Sequence, residues 1–220
     1  MVNSEAPGGI ASLRAEHMEL TRERLLTAAV DVILEGSAGE LSLRDVAQKA
    51  GVSAPTAYRH FATKQDLLDA VVAHIDRKMS IPPAIHSVED FIAALPVIHR
   101  AFADNARLMR AYVRTRAATD LRHAGRANRA RRVEAAARAS FPDLPVEAVR
   151  ALAPVLQLFS SSSGWEIWSE QWGLEGERAG HVAAWIVGAI RDAVKRDPGA
   201  FARAAGVEAP KRKAQGGSRK

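Results

Sequence analysis

The sequence predicts an all-α fold of about nine to ten helices, with a small N-terminal helical domain and a larger helical domain after it. Three observations carry this. Apolar residues recur at three- and four-residue spacing along most of the chain, and no stretch alternates with the two-residue period of a strand. Three cap-x-x-acid patterns, Ser42 with Asp45, Thr63 with Asp66 and Ser87 with Asp90, mark helix starts. Hydrophobic residues make up 47% of the 220 positions, enough for a substantial core.

Residues 1–20 hold Pro7, Gly8 and Gly9 and little periodicity, and read as a flexible arm. Residues 21–35 read as the first long helix, capped by Thr21, with Leu25, Ala28, Ala29, Val32 and Ile33 on one face and Gly36 as its stop. Residues 43–50 form a short helix with Val46, Ala47 and Ala50 inward, and Gly51 supplies a left-handed terminus. Val52 is expected as a buried plug in the turn, and Ser53 caps the next helix, residues 54–61. Ala57 and Phe61 face inward there, whereas Pro55, Thr56, Tyr58, Arg59 and His60 face outward. The pattern admits two readings: a plain helical hairpin with a solvated face, or a helix-turn-helix whose second helix fits a major groove. The next helix starts after Thr63 and turns Leu67, Leu68, Val71, Val72 and Ile75 inward.

Pro82 and Pro83 break the chain, and residues 80–86 are the expected domain boundary. Beyond it, residues 87–104 carry Phe91, Leu95, Ile98 and Phe102 on one face, with Pro96 as an expected kink. Residues 105–118 carry Leu108, Met109, Tyr112 and Val113. Residues 120–140 are mostly Ala and Arg, both good helix formers. Residues 146–172 read as one long helix bent near Pro154. Residues 175–196 read as another that carries Val182, Trp185, Ile186, Ala189, Ile190 and Ala193 at helical spacing, and residues 198–205 as a short last one.

The chain has no cysteine, which excludes a disulfide framework and a thiolate metal site and fits a reducing cytoplasm. No signal-peptide-like run occurs near the start, and the longest apolar run, residues 182–190, is about half of what a membrane span needs. The net charge of +6 is uneven. Residues 41–64 are net +3 inside a net-acidic first 80 residues, residues 106–139 are net +8, and residues 203–220 are net +5. The arginine stretch, residues 107–138, reads first as a solvated helix face; an anionic-ligand site and a DNA contact are the alternatives. The C-terminal tail reads as a disordered segment with nonspecific DNA affinity.

Ala28, Ala29, Leu43, Val46, Ala47, Ala50, Gly51, Val52, Ser53, Tyr58, His60, Phe61, Lys64, Leu67 and Leu68 stand in a fixed order and spacing. On these residues, positions 21–79 resemble the N-terminal domain of the tetracycline-repressor (TetR) family of bacterial transcriptional regulators. The resemblance favours the helix-turn-helix and divides the chain into an arm (1–20), a DNA-binding domain (21–80), an effector-binding and dimerisation domain (81–205) and a basic tail (206–220). It implies a cytoplasmic, nucleoid-associated protein with double-stranded DNA as partner.

The resemblance also implies roles residue by residue. Ser42 and Arg44 would approach phosphate, Arg44 also a base edge; Ala54, Pro55 and Thr56 would meet base edges; Tyr58, His60 and Lys64 would hold phosphates, with Ser53 and Arg59 on the same surface. This second helix is poor in the Arg, Asn and Gln side chains that read bases bidentately, so specificity is expected to lean on Arg44, Thr56, thymine methyls touched by Ala54 and Pro55, and DNA shape. Ala57 departs from the larger aliphatic residue common in the family. A homodimer is implied, through Trp168, Trp172, His181, Trp185 and Gly188, and with it a palindromic operator. A pocket for a small-molecule effector is implied around Phe91, Leu95, His99, Phe102, Met109, Tyr112, Val113, His123, Phe159 and Trp165. Repression relieved by a hydrophobic ligand is the expected mode; activation, or sensing of an acyl-CoA-type anion, are the alternatives.

A rival class is an all-α enzyme. The sequence has no HExxH, GxSxG, Walker loop or paired Glu-x-x-His. The run Ser160 to Ser163 has no base nearby in sequence and reads as small residues packing a helix. No catalytic residue, metal site or cofactor is expected. A membrane-surface role for the arginine-rich helix fails for want of a bulky apolar face opposite the charges.

Overall fold

The computed structural model describes residues 8–36, 39–82 and 85–207, with side chains from residue 12 onward. Eleven helices and no strand occur among the described residues. They are α1 (Gly8–Leu34), α2 (Leu43–Ala50), α3 (Ala54–His60), α4 (Lys64–Lys78), α5 (Val88–Asp104) and α6 (Ala106–Arg114). After these come α7 (Thr119–Ser140), α8 (Val146–Phe159), α9 (Ser162–Trp172), α10 (Gly176–Arg196) and α11 (Pro198–Ala204). The chain falls into two compact units, Met1–Met79 with Ala106–Gly125, and Ser80–Asn105 with Arg126–Lys220. The stretch 106–125, expected in the second domain, thus belongs with the first. A proline-rich break shows where a chain leaves a unit; it carries no sign of where the chain returns. The basic tail from residue 208, and residues 1–7 of the arm, lie outside the described residues.

In the first unit, α1 begins at Gly8 rather than Thr21, so residues 8–20 are helical where a flexible arm is expected. Ala, Leu, Arg, Glu and Met dominate residues 11–20, and their intrinsic propensity sustains a helix that no buried face reveals. Thr21 is therefore no cap: its hydroxyl donates to the His17 carbonyl at 2.8 Å, the habit of a threonine inside a helix. Leu25, Ala28, Ala29, Val32 and Ile33 are buried as expected, with α1 packing on α2, α4 and α6. The packing on α6 is what draws residues 106–114 into this unit. Helix α6 ends at Arg114, short of the expected 118, and Arg122 holds the corner that follows. The Arg122 guanidinium donates to the carbonyls of Tyr112 and Thr115 and, at 2.9 Å, to Thr119 Oγ1.

In the second unit, α5 and α10 pack along their lengths. Helix α5 runs on through Pro96, and Gly180 of α10 sits directly over it. A Cβ at Gly180 would fall 2.8 Å from both Leu95 O and Pro96 N. This crossing decides which face of α10 is buried. Ala179, Gly180, Ala183, Val187 and Val194 are inside, while Val182, Trp185, Ala189 and Ala193 are exposed. The helical period was legible, but small residues were needed inward for the close approach, which puts the large ones outside.

The expected long helix over 146–172 is two helices, and the break lies at Ser160 and Ser161 rather than Pro154. Ser160 Oγ donates to Gln157 O at 3.2 Å, and Ser161 Oγ donates to Leu158 O at 2.8 Å while accepting from the Gly164 N–H at 2.9 Å. The serine run therefore ends one helix and caps the next, instead of packing a continuous one. The core of this unit is built on Phe91, Leu95, Leu152, Leu156 and Val187.

Candidate nucleic-acid interface

The helix-turn-helix is set by caps at each joint. Ser42 Oγ accepts from the Asp45 N–H at 3.1 Å and starts α2. Gly51, at φ 66°, ends it in the left-handed region, and the Val52 N–H donates to Ala47 O at 3.0 Å. Arg24 reaches from α1 to donate to Ala50 O at 2.8 Å, occupying a terminal carbonyl of α2. Ser53 then caps α3 through the Thr56 N–H, and the two hydroxyls lie 2.8 Å apart. Val52 is half-buried rather than a sealed plug. A full capping box of Thr63 and Asp66 starts α4.

Underneath, Ala57 and Phe61 are fully buried, and Arg22 lies over the Phe61 ring at 4.8 Å. Ala57, the departure from a larger aliphatic residue, is wholly shielded from solvent. On the opposite side, Pro55, Tyr58 and Arg59 are exposed, Tyr58 by 54%, and Ala54, Thr56, His60 and Lys64 are half-buried. Arg44 and Arg59 are exposed and make no ion pair among the described residues, whereas Lys49 is paired with Glu35. Burial, then Arg59 and Arg22, hold the His60 imidazole below its usual pKa. Its Nε2 is buried and has no hydrogen-bond partner. The structure therefore brings a hydroxyl-tipped cap, two unpaired guanidiniums, a phenol and a neutral imidazole to one short helix-turn-helix.

The residues expected at the effector pocket are divided. Phe91, Leu95, His99, Phe102, Phe159 and Trp165 lie in the second unit; Met109, Tyr112, Val113 and His123 lie in the first, His123 on its surface. His99 is 1% exposed, its ring nitrogen Nε2 is 2.8 Å from Phe159 O, and its ring stacks on Trp168 at 5.5 Å. Phe102 stands 6.2 Å from both His99 and Trp165. Burial lowers the His99 pKa, so the ring is neutral; Nε2 donates to the carbonyl and Nδ1 is left as a bare acceptor. Trp165 Nε1, a donor, is buried and unmatched as well.

Of the expected dimer residues, Trp172 and Trp185 are 76% and 75% exposed, and His181 is exposed. Trp168 instead packs on His99 and Phe159, and Gly188 is half-buried.

One buried group escaped sequence reading. His74, inward on α4, places Nδ1 3.2 Å from Glu23 of α1, and burial holds its pKa below the usual value. Its place seven residues after Leu67, on the apolar face, was the available signal. With the folded pKa of His74 and His99 below an unfolded value of about 6.5, the unfolded state binds more protons at acid pH. Folding stability is expected to fall as pH drops below about 6.5. Denaturant titrations at a series of pH values check this, and His99→Gln should flatten the dependence.

Among the described residues, no helix is long and apolar enough to cross a membrane.

Residues 25–71 match the family described as bacterial regulatory proteins, tetR family. A tetracycline repressor protein of class D from Escherichia coli is 36% identical over 76 residues, 33% of this chain and 35% of that protein. A helix-turn-helix transcriptional repressor from Mycobacterium tuberculosis is 32% identical over 85 residues, 39% of this chain and 42% of that protein. A longer match, 26% identical over 160 residues, covers 68% of this chain and 77% of an uncharacterised helix-turn-helix regulator from the same organism. The chain thus spans little more than a third of the length of the first of these relatives.

Proposed function

We propose that the chain is a regulator of the tetR family, whose model its residues 25–71 match, and that it is a sequence-specific DNA-binding repressor, acting as a homodimer and released by a small uncharged ligand. The observation that carries this is α3: a seven-residue helix, capped at its start and seated on buried Ala57 and Phe61, that turns Tyr58 and Arg59 to solvent beside an unpaired Arg44. Such a helix fits a major groove, with base edges met by its first residues and phosphates by the hydroxyls and cations around them. Two of the matched proteins are themselves named repressors.

One α3 buries too little surface to select a site alone, and the second unit offers the means of doubling it. Leu158, Ile167, Trp172, Val182 and Trp185 are all exposed on α8, α9 and α10. An apolar set of that size, with two tryptophans, is what a two-fold interface covers. The effector reading rests on His99 and Trp165. A buried acceptor and a buried donor, each without a partner, favour a ligand that supplies both complements. The neutral aromatic surroundings favour an uncharged ligand over an acyl-CoA-type anion.

Genomic DNA captured by the protein, followed by a gel shift on the recovered fragments, tests the reading. A sequence-specific shift that weakens with salt is expected. Arg44→Ala should cost about 1–3 kcal/mol and relax specificity at one position, and Tyr58→Ala should weaken binding across all sequences. A protein that captures no DNA above background, or variants that bind as the wild type does, would remove the proposal.

A further inference from the structure

The cation expected to meet DNA at the start of α4 is already engaged inside its own unit. Lys64 Nζ lies 2.6 Å from Asp120 Oδ2 and 3.1 Å from Glu40 Oε2. Lys64 is the first residue of α4, and Asp120 sits in the first turn of α7, where the helix terminus favours its charge. Asp120 is not a loosely hung side chain: the corner before it is held by Arg122 through Tyr112, Thr115 and Thr119. Its side chain is 29% exposed, against 40% for Lys64 and 58% for Glu40. Two carboxylates around one ammonium give this spot a net charge of −1, at a helix N-terminus that would otherwise invite a phosphate. By contrast Arg44 and Arg59, on the same motif, have no acid against them among the described residues.

Given the DNA-binding reading above, we infer that Asp120 is an intramolecular stand-in for a DNA phosphate: it occupies Lys64, with Glu40 as a weaker second partner, and lowers the affinity of the free protein for any duplex. The bond that Lys64 makes with a phosphate must replace the one it makes with Asp120. The net gain from that cation is therefore small in this chain, while Arg44 and Arg59 contribute in full. Asp120 sits at the start of α7, straight after the chain returns from α6, so the position of that corner sets how freely Lys64 can leave. Asp120 acts on DNA only through Lys64; it is a positioning residue. The Lys64 ammonium is held above its usual pKa, first by Asp120, and so stays charged throughout the neutral range.

The test uses the full chain and the duplex that the wild type enriches from a random-sequence pool, titrated over a range of salt. Asp120→Asn is expected to bind about fivefold tighter at low salt, the size of one unit-charge repulsion at about 4 Å in water. Its log–log salt slope should steepen by up to about 0.9, one more phosphate neutralised. Asp120→Glu, which keeps the charge, should bind as the wild type, and Glu40→Gln should gain less than Asp120→Asn. In a Lys64→Ala background, Asp120→Asn should change affinity by less than about twofold, since the residue it frees is gone. Asp120→Ser, which retains a helix-starting side chain, replaces Asp120→Asn should the latter melt early. Weaker or unchanged binding by a folded Asp120→Asn overturns the inference, as does an equal gain with and without Lys64. A wild type that enriches no duplex at all overturns the DNA-binding reading itself, a different outcome from either.

Discussion

In the proposed homodimer, replacing Trp185 by glutamate is expected to give a monomer and to abolish operator binding at concentrations where the wild type is saturated. Trp185 is 75% exposed on α10, one turn beyond His181 and one turn before Gly188. An indole so placed is a hot spot when a second copy covers it, each being worth about 2 kcal/mol or more. A two-fold interface uses it twice, so the dimer should weaken by about 4 kcal/mol, close to a thousandfold. A buried glutamate adds a desolvation cost on top. Sedimentation velocity reads the assembly state, and circular dichroism shows whether the helices persist. A variant that remains dimeric would move the interface elsewhere. Because the half-sites of a palindrome are then met one at a time, DNA affinity should fall with dimerisation and recover partly at high protein concentration.

The second large effect is structural. Gly180→Ala is expected to destabilise the second unit by about 1–3 kcal/mol, since the added methyl meets backbone atoms of α5 rather than a side chain that can swing away. Pro96, one of those atoms' owners, has a fixed φ and a ring on its nitrogen, so α5 yields little. The thermal midpoint should drop by roughly 2–10 °C for a chain of this size. Gly188→Ala is the matched control: there the nearest atom is the tip of the Arg191 side chain, 4.0 Å away. It should melt with the wild type. Equal melting of Gly180→Ala and wild type would mean that α10 can slide off α5 at little cost.

Much of this architecture was legible before any coordinates. The helix-turn-helix could be read because every joint is signalled locally: Ser42 with Asp45, Gly51, Ser53, and Thr63 with Asp66 act within three residues of where they stand. The inward faces expected of α1, α4 and α5 were equally plain: Leu25, Ile33, Leu67, Val71, Phe91 and Leu95 are all buried. What failed has different causes from element to element, a partner far along the chain in some and the lack of any buried face in others. The buried face of α10 depends on how close α5 comes at Pro96, and the helical spacing of its apolar residues alone does not say which face that is. The break at Ser161 was masked by Pro154, a stronger breaker on paper that α8 accommodates. The helical extension of α1 over residues 12–20 is exposed throughout and leaves no amphipathic trace. The resemblance implied a phosphate contact for Lys64, but nothing local told of Asp120, 56 positions away.

The candidate site shows the same division. Exposure of Pro55, Tyr58 and Arg59 follows from the helical period of a short stretch, and the structure has them there. The effector residues were gathered by resemblance across many helices, and only Phe91, Leu95, His99, Phe102, Phe159 and Trp165 share a unit. The polar pair among them, His99 and Trp165, became informative only when burial and missing partners could be seen together.

The most direct measurement of the central claim is a hydroxyl-radical footprint of the wild type on its enriched duplex. If two copies of α3 enter one face of the DNA, protection appears in two half-sites related by a dyad, about one helical turn or 34 Å apart, and Arg59→Ala weakens both together. A single protected stretch with no dyad, or uniform protection that follows ionic strength and not sequence, would contradict it.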